Sequence, residues 1–231
     1  MQPHERHTLV LAQPDGSEGL RIEHPEIWTI CAARLEEVAR VALQATGGVR
    51  RRGPAAGVLA TFGEASAAVD YAVRLKLALL ELDWPDEVIR RPAFAVELND
   101  RGEVVAKGVG VRIAIHQGLL DPIRRSDGTD VALGPAVVHV ARVAAIVHPG
   151  QIVLTEPVWR SLTGTPPGAL VLRDLGGNEL NGQRGSPRLF QVLPGRLDRA
   201  FGPLTGPDRL RTNLNPQPIP LTGRQGDLHA I

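Results

Sequence analysis

The sequence predicts an α/β sandwich with a mainly antiparallel central sheet and helices on its outer face. Two long stretches carry apolar residues at intervals of three and four, which is the spacing of amphipathic helices. Short apolar runs bounded by glycine and proline occupy much of the remaining chain and predict strands. Between Gly110 and Glu156, two such runs flank a helical stretch, which predicts a βαβ unit.

The composition predicts a single folded domain with tails. The chain has 231 residues, of which 43% are hydrophobic and 22% are charged, and its formal net charge is +1. This charge gives no field that would attract nucleic acid or an anionic membrane, so neither is expected as a partner. Cys31 is the only cysteine, which excludes an internal disulfide and a multi-cysteine metal site. With no apolar run long enough to span a bilayer, we expect a cytoplasmic protein.

The first half of the chain alternates strands with helices. Pro25 is suited to the first turn of a helix and Gly47 to its end, while Pro85 disfavours helical geometry at the residue before it. A hairpin is the natural connection between two short apolar runs that lie on either side of the Gly53–Gly57 loop. We predict strands at residues 8–12, 49–52 and 58–62, and helices at residues 25–46 and 65–82.

The second half begins with an inserted hairpin over residues 93–108, in which Gly102 supplies the turn. Gly134 and Pro135 open the helix of the βαβ unit, and a short helix follows Glu156. We predict strands at residues 111–116, 152–154, 170–175, 177–182 and 188–193. The folded domain therefore covers residues 8–194, after a flexible N-terminus of residues 1–7. Residues 195–231 are rich in proline and glycine and form a linker or tail.

Several segments resemble one known family in order and in spacing. The segments VRIAIHQG, GPAVVHVARV and GQIVLTE, between residues 111 and 156, are similar to the second half of a class III adenylate/guanylate cyclase catalytic domain. The segment LRDLGGNELNGQRGSPRLFQVL, residues 172–193, resembles the closing strands of that domain. The inserted hairpin resembles a variant found in fungal and trypanosomatid-type cyclases. The resemblance covers residues 8–194 and implies a ferredoxin-like βαββαβ core.

The C-terminal segment carries a second resemblance. Residues 213–231, NLNPQPIPLTGRQGDLHAI, are similar to the linker that joins a cyclase domain to a P-loop signalling ATPase in many bacterial proteins. We therefore expect a first module of a larger signalling protein.

Family cyclases hold two divalent cations with two aspartates, and neither aspartate is found here. The resemblance places Gln13 at the first aspartate position and Ala56 at the second. A neutral amide is a poor substitute for a carboxylate, and a methyl group cannot bind a metal. Asp15 is the nearest spare carboxylate and the alternative ligand. No cofactor is expected, and Mg²⁺ or Mn²⁺ would be needed only if the chain were an active cyclase.

The family positions that contact the nucleotide are also altered. Arg52 stands at the base-recognition lysine, and Val131 stands at the aspartate that partners it, with Asp130 beside it. Val138 and Arg142 occupy the helix positions of the family asparagine and arginine, which lie on one face at i and i+4. Asn181 replaces the late phosphate-contacting lysine. Among these positions, only Arg142 retains the family residue.

These substitutions predict a degenerate cyclase domain in intracellular signalling, without catalytic activity. It would act as a dimerisation, regulatory or nucleotide-sensing module, as a homodimer or as a heterodimer with another cyclase-type domain, and ATP is the candidate ligand. The alternative is an active adenylate cyclase with a non-standard site. His116 and His139 are expected to be structural rather than acid–base residues.

Overall fold

The computed structural model describes residues 5–15, 17–53, 57–124, 130–162, 170–180, 185–195 and 199–204. These residues form ten strands and six α-helices together with one short 3₁₀ turn. The strands are β1 (Glu5–Pro14), β2 (Val49–Arg51), β3 (Val58–Phe62), β4 (Glu97–Leu98), β5 (Val104–Ala106), β6 (Val111–Arg124), β7 (Asp130–Leu133), β8 (Ile152–Thr155), β9 (Leu170–Gly177) and β10 (Arg188–Pro194). The helices are α1 (Ser17–Glu23), α2 (Pro25–Thr46), α3 (Ala65–Glu81), α4 (Asp86–Ile89), α5 (Pro135–Ile146) and α6 (Glu156–Ser161).

The central sheet has the strand order β2-β3-β1-β6-β8-β10-β9. Only β6 and β8 run parallel, and the other described neighbours along this order are antiparallel. Strand β1 lies in the middle, where Val10 pairs with Ala60 on β3 and with Ile115 on β6. The predicted mixed α/β fold with a mainly antiparallel sheet is therefore confirmed.

Helices cover both faces of this sheet, which differs from the predicted single outer face. Successive strand residues point to opposite faces. Val10 and Ile115 belong to the hydrophobic cluster beneath α2 and α3, whereas Leu9 and Ala114 belong to the cluster beneath α5. Every residue of β3 and β8 is buried, as expected for strands enclosed on both sides. The domain is a three-layer sandwich.

The ends of α2 agree with the predicted positions for local reasons. Pro25 occupies the first turn, and Gly47 closes the helix at φ 70° while its N–H donates to the carbonyl of Leu43. The inserted hairpin also forms, as β4 and β5. Trp84 holds the segment before this hairpin against α3, because its indole N–H donates to the carbonyl of Leu79 at 3.1 Å.

Several predicted boundaries are corrected. Strand β1 begins at Glu5, so residues 5–7 pair with β6 rather than forming part of a flexible N-terminus. Helix α1, which begins at Ser17, was not predicted from the sequence. The separate strand predicted for residues 177–182 does not form within 178–180, because β9 runs on through Gly177 and the chain then leaves the sheet. Residues 181 and 182, where the predicted strand continued, lie outside the described part of the chain.

The segment assigned to a linker contains residues that contact the domain. The guanidinium of Arg199 forms an ion pair with Glu97 on the inserted hairpin and lies 4.9 Å from the centre of the Phe201 ring. Phe201 stacks on His148, and Leu204 packs against the hydrophobic cluster beneath α5. Residues 199–204 therefore lie against the domain.

Candidate functional site

The C-terminal end of β1 carries the first predicted metal-ligand position. Gln13 pairs across the sheet with Arg112 on β6, which places the two side chains on the same face. Asp15 follows β1 directly, and its backbone N–H donates to the carbonyl of Gly110 at 2.8 Å. The Asp15 carboxylate forms an ion pair with the Arg112 guanidinium. The nearest spare carboxylate is therefore already bound to a fixed cation.

The start of β3 lies directly against this strand end. Gly57 adopts φ 115°, and a Cβ there would fall well inside contact distance of the carbonyl oxygen of Ala12 and 3.1 Å from the Cα of Gln13. Ala12 is also the pairing partner of Val58. The two chain segments that carry the altered metal motifs are thus adjacent in space. Ala56 itself lies outside the described residues.

The described residues of this site do not fit a pair of divalent cations. Hard cations bind carboxylate oxygens, and here the strand end offers one neutral amide and one carboxylate already paired with arginine. A divalent ion next to Asp15 would also be repelled by the Arg112 guanidinium. Across the described ranges, no three histidine, cysteine, aspartate or glutamate side chains lie close enough together to hold a metal ion.

The two predicted base-recognition positions lie side by side. Arg52 and Val131 form a parallel β-bridge, in which the N–H of Arg52 donates to the carbonyl of Asp130 at 2.7 Å and the N–H of Ala132 donates to the carbonyl of Arg52 at 3.1 Å. The Asp130 carboxylate instead lies 3.4 Å from the Arg51 guanidinium. The acid beside Val131 is therefore paired with the neighbouring arginine.

Helix α5 carries the remaining described positions. Val138 is 49% exposed, and Arg142 lies one turn further along the same face and is half-buried. Within the described part of the chain, the Arg142 side chain makes no hydrogen bond or ion pair. Asn181 lies outside the described residues, so its position relative to Arg142 stays a prediction.

Comparisons with known proteins define the fold. No protein-family profile matches the chain. Among solved structures, an adenylate cyclase of Trypanosoma brucei in its monomeric state superposes with a TM-score of 0.72 at 23% identity, covering 86% of this chain and 98% of the other. A dimeric guanylyl cyclase domain of Blastocladiella emersonii superposes with a TM-score of 0.59 at 14% identity, covering 82% and 97%. The chain has the fold of class III nucleotidyl cyclase domains.

Curated relatives agree with this assignment. The adenylate cyclase of Schizosaccharomyces pombe is 32% identical over 126 residues, which are 52% of this chain and 7% of the relative. A putative serine/threonine-protein kinase/receptor of Acanthamoeba polyphaga mimivirus is 30% identical over 149 residues, which are 62% of this chain and 9% of the relative. The cyclase-like domain therefore spans less than a tenth of the length of these relatives. No helix among its described residues has the length and apolar character needed to cross a membrane.

Arg112 was not singled out from the sequence, although it proved central to the site. It lies within VRIAIHQG, where strand alternation places it on the face opposite to Ile113. Its pairing with Asp15 joins residues 97 positions apart, and no local pattern predicts such a contact. The sequence did offer one signal, which is a basic residue within an otherwise apolar strand. In the sheet this residue lies opposite Gln13.

A half-buried histidine pair lies between α5 and the sheet of the cyclase-like domain. The rings of His116 and His139 stack with their centres 4.1 Å apart, and Nδ1 of His116 lies 3.0 Å from the hydroxyl oxygen of Thr155. Burial and, to a smaller extent, the neighbouring His139 together lower the pKa of His116 to about 3. The two rings therefore act as packing groups that require His116 to be neutral.

Protonation of His116 is expected to destabilise the domain at acid pH. Because its pKa in the folded state lies below that in the unfolded state, near 6.5, stability is retained above pH 6.5 and falls as the pH drops toward 3. Between pH 6.5 and pH 4, we expect the free energy of unfolding of the His116→Gln variant to fall by about 2 kcal/mol less than that of the native chain. Urea unfolding at both pH values measures this difference. Identical losses in the two proteins would contradict it.

Proposed function

We propose that this cyclase-like domain does not form cyclic nucleotides and instead serves as a dimerising, regulatory module in signalling. The observation that carries the proposal is the arrangement at the end of β1. Gln13 stands across from Arg112, and the guanidinium of Arg112 is paired with Asp15. The Arg112 guanidinium thus lies at the place where a divalent ion would need free carboxylates.

The chemistry explains why this arrangement opposes turnover. Attack of a ribose hydroxyl on the α-phosphate develops negative charge on several oxygens, which bound metal ions stabilise in metal-dependent phosphoryl chemistry. An amide oxygen carries no net charge, and the charge of Asp15 is compensated before any ligand arrives. No catalytic step is therefore assigned to these residues.

Weak nucleotide sensing is compatible with the remaining cations. Arg52 is exposed and Arg142 is half-buried, and neither side chain forms a hydrogen bond or ion pair within the described ranges. Guanidinium groups bind phosphate oxygens well. Val131 offers no acceptor to an adenine amino group. We therefore propose that any nucleotide binds through its phosphates, weakly and without dependence on a divalent metal.

A second cyclase-type domain is the proposed partner, either a copy of this chain or a related chain. Three exposed apolar side chains support this, since they lie on the neighbouring elements α5, β6 and β7. Val138 on α5, Leu119 on β6 and Leu133 on β7 are 49%, 51% and 45% exposed. Apolar groups of this size are commonly covered in dimers. We place the protein in the cytoplasm because its single cysteine, Cys31, is buried and unpaired.

One observation favours the alternative of an active adenylate cyclase. The bridge between Arg52 and Val131 brings together the two positions that read the base in the family. An active enzyme would need Mg²⁺ or Mn²⁺, and the described residues do not fit such an ion.

The activity assay separates the two functions. We expect the purified chain, incubated with ATP and an excess of Mn²⁺, to form no cyclic AMP above the level of a protein-free blank. An active cyclase domain assayed in parallel serves as the positive control. Metal-dependent product that scales with protein concentration would establish the alternative.

A further inference from the structure

A cavity of ligand size opens beside Gln13 at the end of β1. A cleft of about 520 Å³ opens between α2, the end of β1 and the start of β3. Pockets that bind small molecules have volumes of roughly 300 to 1,000 Å³ and mostly apolar walls. Arg52, Val131, Val138 and Arg142 do not line this cleft. Gln13, Asp15 and Arg112 do line it, so the inference shares this strand end with the proposed function, but the ligand inferred below is neither a nucleotide nor a metal ion.

The floor of the cleft is apolar. Val58, Leu75 and Val111 are buried there, and Trp28 and Leu35 of α2 form a half-buried wall. A large indole surface beside aliphatic side chains suits a flat ring system, because the two surfaces bury apolar area together.

The charged side chains around the cleft are either paired or exposed to water. Glu18 and Arg21 of α1 are the exposed ones, and they carry opposite charges. Asp15 is paired with Arg112, and Glu36 on α2 is paired with Arg50 on β2. A charged ligand would have to displace one of these partners or be desolvated without compensation. The cleft therefore favours an uncharged ligand.

One polar group in the wall lacks a partner. Nε of Arg112 is buried and makes no hydrogen bond within the described structure. A buried donor without an acceptor is destabilising, and an acceptor oxygen brought against this guanidinium would satisfy it. We propose that the cleft binds an uncharged, ring-containing small molecule that carries a hydrogen-bond acceptor such as a carbonyl oxygen.

Two probes of nearly equal shape test this assignment. 2-Acetylnaphthalene carries the acceptor and 2-ethylnaphthalene does not. We expect saturable quenching of tryptophan fluorescence by 2-acetylnaphthalene, with the signal reduced in the Trp28→Phe variant. 2-Ethylnaphthalene should bind about fivefold more weakly, which corresponds to the loss of one hydrogen bond. Equal affinity for the two probes would overturn the role of Arg112.

Filling variants locate the binding. Ala32→Phe places a ring into the cleft, whereas Ala33→Phe places the same ring on the exposed side of α2. We expect Ala32→Phe to weaken binding of 2-acetylnaphthalene about tenfold or more, and Ala33→Phe to leave it within about twofold. Leu35→Trp is a second filling variant if Ala32→Phe does not fold. Absence of saturable binding, or binding unaffected by a folded filling variant, would overturn the proposal.

Discussion

Gly57→Ala is expected to lower the free energy of unfolding by about 3 kcal/mol, since it combines two unfavourable effects. A side chain at φ 115° is strained, and its Cβ would collide with the carbonyl of Ala12. Relief of this collision requires β3 to move away from β1. We therefore expect the variant to disturb the strand end that carries Gln13 as well as overall stability.

Gly102→Ala is the matched control for backbone strain alone. Gly102 adopts φ 74° in the turn of the inserted hairpin, and a Cβ there meets no atom within 4 Å. We expect a loss of about 1 kcal/mol. Urea unfolding of both variants measures the difference. Equal losses would show that Gly57 does not hold the two strands together.

Val138→Glu is expected to weaken self-association by about 100-fold, if the chain forms the proposed homodimer. The carboxylate would be buried without a partner at the apolar contact, and an uncompensated buried charge costs several kcal/mol. Sedimentation equilibrium of the native chain and the variant measures the two dissociation constants.

Val41→Glu is the control for this substitution. Val41 lies on α2, over the opposite face of the sheet, and is 51% exposed, close to the 49% of Val138. We expect its dimer to be as stable as that of the native chain. A dimer that resists Val138→Glu would contradict the placement of the interface on α5.

Much of the fold could be predicted from local signals. Pro25 and Gly47 mark the ends of α2 because each favours one backbone geometry, and Gly102 marks the inserted hairpin in the same way. The short helix α1 was missed because Pro14 and Asp15 before it are typical of a turn. Local propensity alone does not distinguish a turn from the start of a short helix that packs on the domain.

The remaining differences depend on contacts between distant residues. The position of α5 on its own face of the sheet follows from tertiary packing, which the apolar pattern of the helix does not specify. The contacts of Arg199 and Phe201 involve elements about 50 and 100 residues earlier, and a high content of proline and glycine concealed them. The ion pair between Arg112 and Asp15 also joins residues that are distant in sequence. Because of this pair, Asp15 is not a free carboxylate that could bind a metal.

The altered ligand positions predict how a nucleotide should bind. Calorimetric titration with a non-cyclisable ATP analogue, in the presence and absence of Mn²⁺, measures this most directly. The Gln13→Asp/Ala56→Asp double variant restores both carboxylates and serves as the comparison. We expect the native chain to bind weakly or not at all, with no dependence on Mn²⁺, and the double variant to gain a dependence on Mn²⁺. Micromolar, Mn²⁺-dependent binding by the native chain would contradict the conclusion that Gln13 and Asp15 cannot hold a catalytic metal.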